Sequence, residues 1–264
     1  MNYKHIILTR FNLQYDGQSD VHIQAKWLDE RFRLFEQYCL PSIVGQTHQG
    51  FDWVLLMSDA TPATYLTRME QLIAAHSNIH IELSPYSEDY NPLYKQIGER
   101  YIGEHDYLLS TRMDSDDMLA NTYVATLQQY LTPTLPANSV LTFLHGVQWF
   151  EGHDVAFGVR YRKNHFLNFW EEKGAIRTSL GMDHTQIEED TLVAVYEPCM
   201  WCEIVHQSNI SNGYLPQYHY SLAYSTDSYP VQVRCKRSRQ CWFLITEHLR
   251  FRYHQLVRHL QRIG

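Results

Sequence analysis

The fold of this chain is decided by one stretch, Tyr107-Leu108-Leu109-Ser110-Thr111-Arg112-Met113-Asp114-Ser115-Asp116-Asp117. Its first four residues have the pattern of a buried strand. Three carboxylates within four positions then follow, and like charges this close repel one another unless a positive group lies among them. The stretch therefore predicts a buried strand that ends at a binding site.

Alternating strand and helix patterns surround this stretch. The predicted strands are residues 5–9, 52–59, 79–83 and 107–110, and the predicted helices are 28–39 (ended by Pro41), 61–73, 91–101 and 121–131. Four β–α units in a row predict an α/β fold, a mainly parallel sheet flanked by helices on both faces. Ligands of such sheets bind beyond the carboxyl ends of the strands, where the three carboxylates lie.

The pattern changes after the break at residues 133–136. Residues 140–150 and 154–161 predict an antiparallel hairpin, residues 162–241 read as irregular, and residues 246–263 predict a final helix. Because neither an internal repeat nor a flexible linker interrupts this order, we expect one domain over residues 1–264.

Composition indicates a folded, soluble protein. The 264 residues are 44% hydrophobic and 19% charged, which excludes disorder. The longest apolar run, Trp53 to Met57, is far short of the roughly 20 residues of a spanning helix. The first residues lack the pattern of a secretory signal, and five cysteines, an odd number, suit a reducing compartment. We expect a cytoplasmic protein.

Charge is distributed unevenly along the chain. Residues 231–264 carry eight Lys and Arg against the single Glu247, while the net charge of the whole chain is −7. An acidic body with a basic tail predicts docking of an anionic surface at the tail and disfavours nucleic-acid binding by the body. The spacing of Cys199, Cys202, Cys235 and Cys241 fits a zinc cluster poorly, so buried or incidental thiols are favoured.

The carboxylates Asp114, Asp116 and Asp117 suit a hard divalent cation, because Mg²⁺ and Mn²⁺ take one or two carboxylates together with phosphate oxygens. Such a cation would neutralise a diphosphate leaving group. The alternative is a solvated acidic turn that caps the next helix. The position of the cluster after the fourth strand favours the metal.

Several blocks resemble a family of bacterial rhamnosyltransferases with a glycosyltransferase fold of the GT-A type. The blocks are Trp27-Leu28-x-x-Arg31-Phe32-x-Leu34-Phe35-Glu36-x-Tyr38-Cys39-Leu40-Pro41-Ser42-Ile43, Gln46-Thr47, Phe51-x-Trp53, Thr111-Arg112-Met113-Asp114-Ser115-Asp116-Asp117, Phe166-Leu167-Asn168-Phe169-Trp170-Glu171 and Trp201-x-x-x-Val205-His206-x-x-Asn209. They span roughly residues 5–212. The resemblance implies a nucleotide-sugar-binding half over 1–132 and an acceptor half over 133–242. The helical spacing of residues 243–264, which match no block of the family, predicts a basic amphipathic helix.

The resemblance also implies roles for individual residues. Residues that would bind the nucleotide sugar are Thr9, Arg10, Asn12, Asp59, Arg112, Asp114 and Asp116, and the metal ligands would be Asp114, Asp116, Asp117 and His206. A fixed guanidinium fork such as that of Arg112 suits diphosphate oxygens. For His206 the alternative is a neutral structural imidazole.

An inverting enzyme needs a general base within reach of the acceptor hydroxyl. Glu171 is the first candidate, because it follows an aromatic block that matches the family, and Asp183 and Glu203 are the others. A solvated carboxylate at a helix end is the alternative for Glu171.

The resemblance predicts a metal-dependent glycosyltransferase that moves a sugar, such as rhamnose, from a nucleotide diphosphate donor to a saccharide or lipid-linked glycan. Alternatives are a non-catalytic sugar-binding protein of the same fold and a nucleotidyltransferase, although the loop after the first strand contains no glycine. The C-terminal helix, with an apolar face of Leu249, Tyr253, Leu256, Val257, Leu260 and Ile263, either docks on the domain or lies on anionic lipid at the inner membrane face.

Overall fold

A computed structural model describes residues 1–14, 20–207, 213–215 and 218–263, with side chains to Tyr253. The strands are β1 (Tyr3–Arg10), β2 (Asp52–Ser58), β3 (Ile79–Ser84), β4 (Tyr107–Arg112), β5 (Met118–Leu119), β6 (Ser139–Phe143), β7 (His145–Phe150), β8 (Val155–Arg160), β9 (Leu167–Glu172), β10 (Leu192–Val195), β11 (Trp201–Val205) and β12 (His219–Ser221). The α-helices are α1 (Ala25–Leu34), α2 (Leu40–Val44), α3 (Ala63–Ile73), α4 (Asn91–Ile102), α5 (Tyr123–Gln129) and α6 (Arg237–Ile263).

The larger sheet has the order β10-β6-β9-β4-β1-β2-β3. Strands β1 to β4 are mutually parallel, as predicted, and β9 is antiparallel to both β4 and β6. Residues on β1 alternate between two cores: Ile7 packs with α1 and its neighbours, and Ile6 and Leu8 pack with α4. Both faces of the sheet are therefore covered, which explains why its strands read as continuous apolar runs.

The smaller sheet has the order β12-β8-β7-β11-β5. The predicted hairpin forms from β7 and β8, but the run over residues 140–150 is divided between two sheets. Its first half is β6 in the larger sheet, and the chain crosses over at Leu144. On β7, Gly146 lies so close to Trp201 that an added Cβ would be 2.1 Å from the indole ring.

The described part of residues 162–241, a range read as irregular from the sequence, contains four short strands, β9 to β12. Strand β9 was not predicted from the sequence, because its buried polar residues interrupt the apolar pattern. Its Asn168 belongs to a buried hydrogen-bond chain: Thr111 Oγ1 donates to Asn168 Oδ1 at 2.7 Å, and His5 Nε2 lies 2.9 Å from Thr111 Oγ1. This chain of contacts joins β1, β4 and β9.

Pro41 does not end the first long helix, contrary to the sequence prediction. A π-helical turn over Phe35–Cys39 continues α1, and its last hydrogen bond runs from Leu40 N–H to Phe35 O. Pro41 then lies in the first turn of α2, where a missing N–H is tolerated.

The final helix α6 begins at Arg237, nine residues before the predicted start. Its inner side is anchored by Phe243, whose ring centroid is 4.5 Å from that of Phe150, and by Gln240, whose Nε2 donates to Ala156 O at 2.7 Å. The side chains beyond Tyr253, which include most of the predicted apolar face, lie outside the described residues. Within the described part of the chain, every helix is too short or too polar to span a lipid bilayer.

Candidate functional site

The three carboxylates lie in the turn between β4 and β5, at the carboxyl end of the parallel strands. The turn is fixed to the sheet by Met113 N–H, which donates to Leu8 O at 3.0 Å. Residues from α1, β11 and the segment before β9 converge on it from three sides. We call residues 114–117 the acidic loop.

Asp116 is held by two groups that are distant in sequence. Arg31 Nη1 of α1 and His206 Nε2, directly after β11, lie 2.8 and 2.9 Å from Asp116 Oδ2. Arg31 Nη1 also donates to Ser115 Oγ at 3.2 Å, and its guanidinium lies over the Trp27 ring. Burial opposes ionisation, but the charge of Arg31 and the hydrogen bond with His206 hold the pKa of Asp116 below its usual value.

Asp117 is the most deeply buried of the three, with 1% of its surface exposed. Ile204 N–H of β11 donates to Asp117 Oδ1 at 2.8 Å, and His165 Nε2 lies 2.9 Å from Oδ2. Burial, reinforced by the negative charges of Asp116 and Asp114, raises the pKa of Asp117 well above its usual value. A positive group brought to this carboxylate would relieve that cost.

Asp114 is partly open to solvent and faces Arg112, whose Nη2 lies 3.2 Å from Asp114 Oδ2. Burial raises the pKa of Asp114, but the charges of Arg112 and His165 outweigh it, so the pKa is lowered. Arg10 at the end of β1 also stabilises the ionised form of Asp114. Two of the residues predicted to bind the nucleotide sugar, Arg10 and Arg112, therefore lie beside the acidic loop.

The donor atoms of Asp114, Asp117 and His165 lie within 4.8 Å of one another, and they form the only such group of candidate metal ligands among the described residues. Two carboxylates and an imidazole fit a divalent cation. One of the carboxylates, Asp117, is buried where a negative charge is unfavourable, which a cation would offset. Asp116 and His206, also predicted as ligands, meet each other on the other side of the loop. The cysteines considered for zinc do not form such a group.

The remaining predicted nucleotide residues have different surroundings. Thr9 is fully buried and accepts a hydrogen bond from Trp53 Nε1 at 2.9 Å. Asn12 is buried and donates to Thr61 Oγ1 at 2.8 Å, which joins the loop after β1 to the end of β2. Asp59 is exposed directly after β2. Of these three, only Asp59 presents its side chain to solvent at the strand ends.

Glu171 is placed away from the acidic loop. It pairs in the sheet with Leu108, near the amino end of β4, and it is fully buried. Its two oxygens accept hydrogen bonds from Arg177 N–H and Thr178 N–H, both at 2.9 Å. The carboxylate therefore orders the segment after β9, and its burial away from the acidic loop does not favour a role as the base.

Asp183 lies on a turn beside the acidic loop. Its side chain is 55% exposed, and the adjacent His184 ring lies 6.4 Å from the His165 ring, centroid to centroid. Asp183 Oδ1 accepts hydrogen bonds from Thr185 N–H and Oγ1, which lower the pKa of the carboxyl. This carboxylate is ionised at neutral pH and open to solvent.

A sequence profile described as "Putative rhamnosyl transferase" matches residues 4–218, more than half of the chain. The chain belongs to this family. The sheet and its helices agree with the α/β, GT-A type fold expected of rhamnosyl transferases. Asn209, part of the last matching block, lies outside the described residues.

Solved structures with a similar arrangement include two of S. aureus TarS and one of WbbM, a bifunctional glycosyltransferase. TarS has TM-score 0.45, 11% identity and coverage of 76% of this chain and 36% of its own. TarS residues 1–349 in complex with UDP have TM-score 0.46 and 11% identity, with coverage of 76% of this chain and 60% of their own. WbbM has TM-score 0.32 and 13% identity, with coverage of 54% of this chain and 23% of its own. The chain thus spans about a third to three fifths of the TarS structures. A search of curated proteins finds no match.

Three residues beside the acidic loop were not predicted as site residues. They are Arg31, His165 and His184. Arg31 lies in a block that resembles the rhamnosyl transferase family, but nothing in its local pattern tied it to Asp116, 85 positions away. His165 directly precedes another such block, and a lone histidine carries little signal by itself.

Glu203, the third predicted base, is 2% exposed on β11, and Gln148 Nε2 donates to its Oε2 at 2.8 Å. Burial raises the pKa of Glu203 to about 7. The folded state therefore keeps a proton that the unfolded chain releases near its usual pKa of 4.5. The contribution of Glu203 to the free energy of unfolding is therefore largest below pH 4.5 and is lost as the pH rises through about 7.

We expect Glu203→Gln to remove that pH dependence. Relative to the unmodified protein, the variant should gain about 2 kcal/mol in unfolding free energy between pH 5 and pH 7. Urea unfolding in EDTA at several pH values measures the difference. Glu172→Gln, at an exposed position on β9, should give parallel curves. Parallel curves for Glu203→Gln as well would contradict the raised pKa.

Proposed function

We propose that this protein transfers a sugar, rhamnose being the family's implied substrate, from a nucleoside diphosphate donor to a hydroxyl group of a saccharide or lipid-linked glycan. The observation that carries the proposal is the acidic loop at the carboxyl end of β4, with arginines and histidines on either side of it. A donor of this class has a negative diphosphate, which requires positive charge where its leaving group develops.

Different residues around the acidic loop are proposed to bind the diphosphate and the ribose of the donor. Arg10 and Arg112 lie on the Asp114 side, where guanidinium groups suit phosphate oxygens. Asp59, exposed after β2, is proposed to bind the ribose.

A divalent ion, Mn²⁺ or Mg²⁺, is proposed to bind Asp114, Asp117 and His165, whose donor atoms lie within 4.8 Å of one another. When bound, such an ion supplies charge that stabilises the departing diphosphate. Asp116 and His206, the other two residues predicted as metal ligands from the sequence, are proposed to hold the acidic loop in place through their contact with each other.

Asp183 is proposed as the general base. Of the three acidic candidates it is the exposed one, whereas Glu171 and Glu203 are both buried and hydrogen-bonded. A base must reach the acceptor hydroxyl, which approaches from solvent. Deprotonation of that hydroxyl by Asp183 would let its oxygen attack the anomeric carbon as the bond to the diphosphate breaks.

Thermal unfolding with UDP, GDP, dTDP and, for comparison, CMP tests the donor class. Each is measured with Mn²⁺ and with EDTA. A nucleoside diphosphate at about 100 times its dissociation constant should add about 2.7 kcal/mol, a shift of several degrees. Binding without transfer to any glycan acceptor would favour the non-catalytic alternative, and no shift with any nucleotide would contradict the proposal.

Asp114→Asn is the variant for the metal. We expect it to lose the Mn²⁺-dependent part of the nucleotide shift, measured from the unfolding temperature of the same variant without ligand. The amide is a poorer ligand for a hard cation than the carboxylate. Asp190→Asn, in an exposed turn, is the matched control. An unchanged Mn²⁺ response in Asp114→Asn would remove this residue from the metal site.

A further inference from the structure

Helix α6 has an apolar stripe on the side opposite the one that packs on the domain. Trp242, Ile245, Leu249 and Tyr253 are 55–69% exposed, while Phe243 on the inner side is 6% exposed. The spacing of three or four residues places the four side chains along one line of the helix surface. Four large apolar side chains in a continuous exposed row are unusual for a surface that faces only water.

Exposed cations border this stripe, which we call the α6 stripe. Arg239 and Arg250 lie along one edge and Arg252 along the other, and Arg234, Lys236 and Arg237 precede or open the helix. The one acidic residue between 231 and 253 is Glu247, which lies on the inner side and pairs with Arg250. The surface is therefore apolar along its centre and positive on both margins.

A cleft opens beside the stripe between α6 and the start of β8. It has a volume of about 350 Å³, and its lining includes His153, Arg239, Trp242 and Arg250. Arg239 and Arg250 are each more than half exposed although they pair with Asp154 and Glu247. The cleft thus offers room and positive charge next to the exposed indole.

The apolar centre and the positive margins favour an anionic membrane over a second copy of the helix as the partner of the α6 stripe. A second copy of the same helix would bring positive margins against positive margins, and like charges across an interface are unfavourable. An anionic bilayer matches both parts of the surface, because acyl chains accept the apolar row and headgroup phosphates accept the arginines. Tryptophan and tyrosine are moreover enriched at the interface between lipid and water.

We propose that the α6 stripe is a docking surface for anionic phospholipid membranes. Trp242, Ile245 and Leu249 insert at the level of the headgroups, and Arg250 and Arg252 bind lipid phosphates. The sequence continues the same spacing at Leu256, Leu260 and Ile263. The surface is separate from the acidic loop, so this proposal stands or falls independently of the proposed transfer reaction.

Vesicle flotation of the full chain tests the proposal, with phosphatidylcholine vesicles that contain or lack phosphatidylglycerol. We expect flotation only with phosphatidylglycerol, and release at high salt. Arg250→Gln with Arg252→Gln should weaken the partition coefficient about 30-fold, from about 1 kcal/mol for each cation. Trp242→Ser, Ile245→Ser and Leu249→Ser together should weaken it at least about 1000-fold, roughly the loss of three buried apolar side chains.

Two controls remove charge or apolar surface elsewhere. Lys26→Gln with Lys95→Gln removes two exposed cations, and Leu83→Ser with Tyr86→Ser removes two exposed apolar side chains. Both should float like the unmodified protein.

Equal flotation of all variants, or none with phosphatidylglycerol, would overturn the proposal. A dimer by light scattering that the triple serine variant abolishes, without flotation, would assign the stripe to a second copy instead. Because the arginine variant changes only exposed side chains, it tests the proposal even if the serine variant unfolds.

Discussion

Asp183→Asn is expected to lower the turnover number for glycosyl transfer about a thousandfold while the affinity for the nucleoside diphosphate stays within a factor of about three. General base catalysis contributes about 10²- to 10⁴-fold, and the amide cannot accept the acceptor's proton. The donor site is expected to stay intact, because the hydrogen bonds of Asp183 go to Thr185 within its own turn.

Initial-rate kinetics with the donor identified by thermal unfolding measure this effect. Asp190→Asn, at an exposed position further along the same segment, is the matched control and should retain full turnover. Both carboxylates are exposed, and Asp183 adjoins His184, whose ring lies 6.4 Å from that of His165 beside the acidic loop. If Asp183→Asn changed only the affinity for the donor, Asp183 would be a binding residue and the base would have to be sought elsewhere.

Arg31→Met is expected to destabilise the protein by about 3 kcal/mol. The Arg31–Asp116 pair is nearly buried, with side chains 12% and 11% exposed, and loss of one partner leaves a poorly compensated buried carboxylate. His206 remains beside Asp116, so the effect should be at the lower end of the range for such pairs.

Arg33→Met provides the comparison within the same helix. Arg33 also forms ion pairs, with Glu30 and Glu151, but its side chain is 39% exposed, so its loss should cost under about 1 kcal/mol. Urea unfolding of both variants in EDTA measures the difference. Equal stability of the two variants would show that the charge of Asp116 is compensated without Arg31.

Much of the fold could be predicted because its signals are local. The strand before the acidic loop is a continuous apolar run, and Met113 continues it directly into the loop. Position in a parallel sheet then predicts the site at the strand ends without knowledge of any distant contact. The same reasoning located Arg112 and Asp114 together, since they are two residues apart.

The partners of the loop could not be predicted in this way, because they depend on contacts between distant segments. His165 reaches Asp117 because β9 lies antiparallel beside β4, and Arg31 of α1 reaches Asp116 although the two residues are 85 positions apart in the sequence. Glu171 presents the reverse case. Its sequence neighbours suggest a site residue, but its strand position lies near the other end of β4.

The assembly of the acidic loop has a consequence for the order of events during synthesis. Two of its stabilising contacts come from Ile204 and His206, which are 87 and 90 residues away from their partners in the loop. At about 5–20 residues per second, a ribosome needs roughly 5–20 seconds to supply them. A nascent chain that already holds β1 to β4 therefore carries three mutually repelling carboxylates that still lack these two partners. The affinity for donor should appear only late in translation, after the segment that carries the proposed base has emerged.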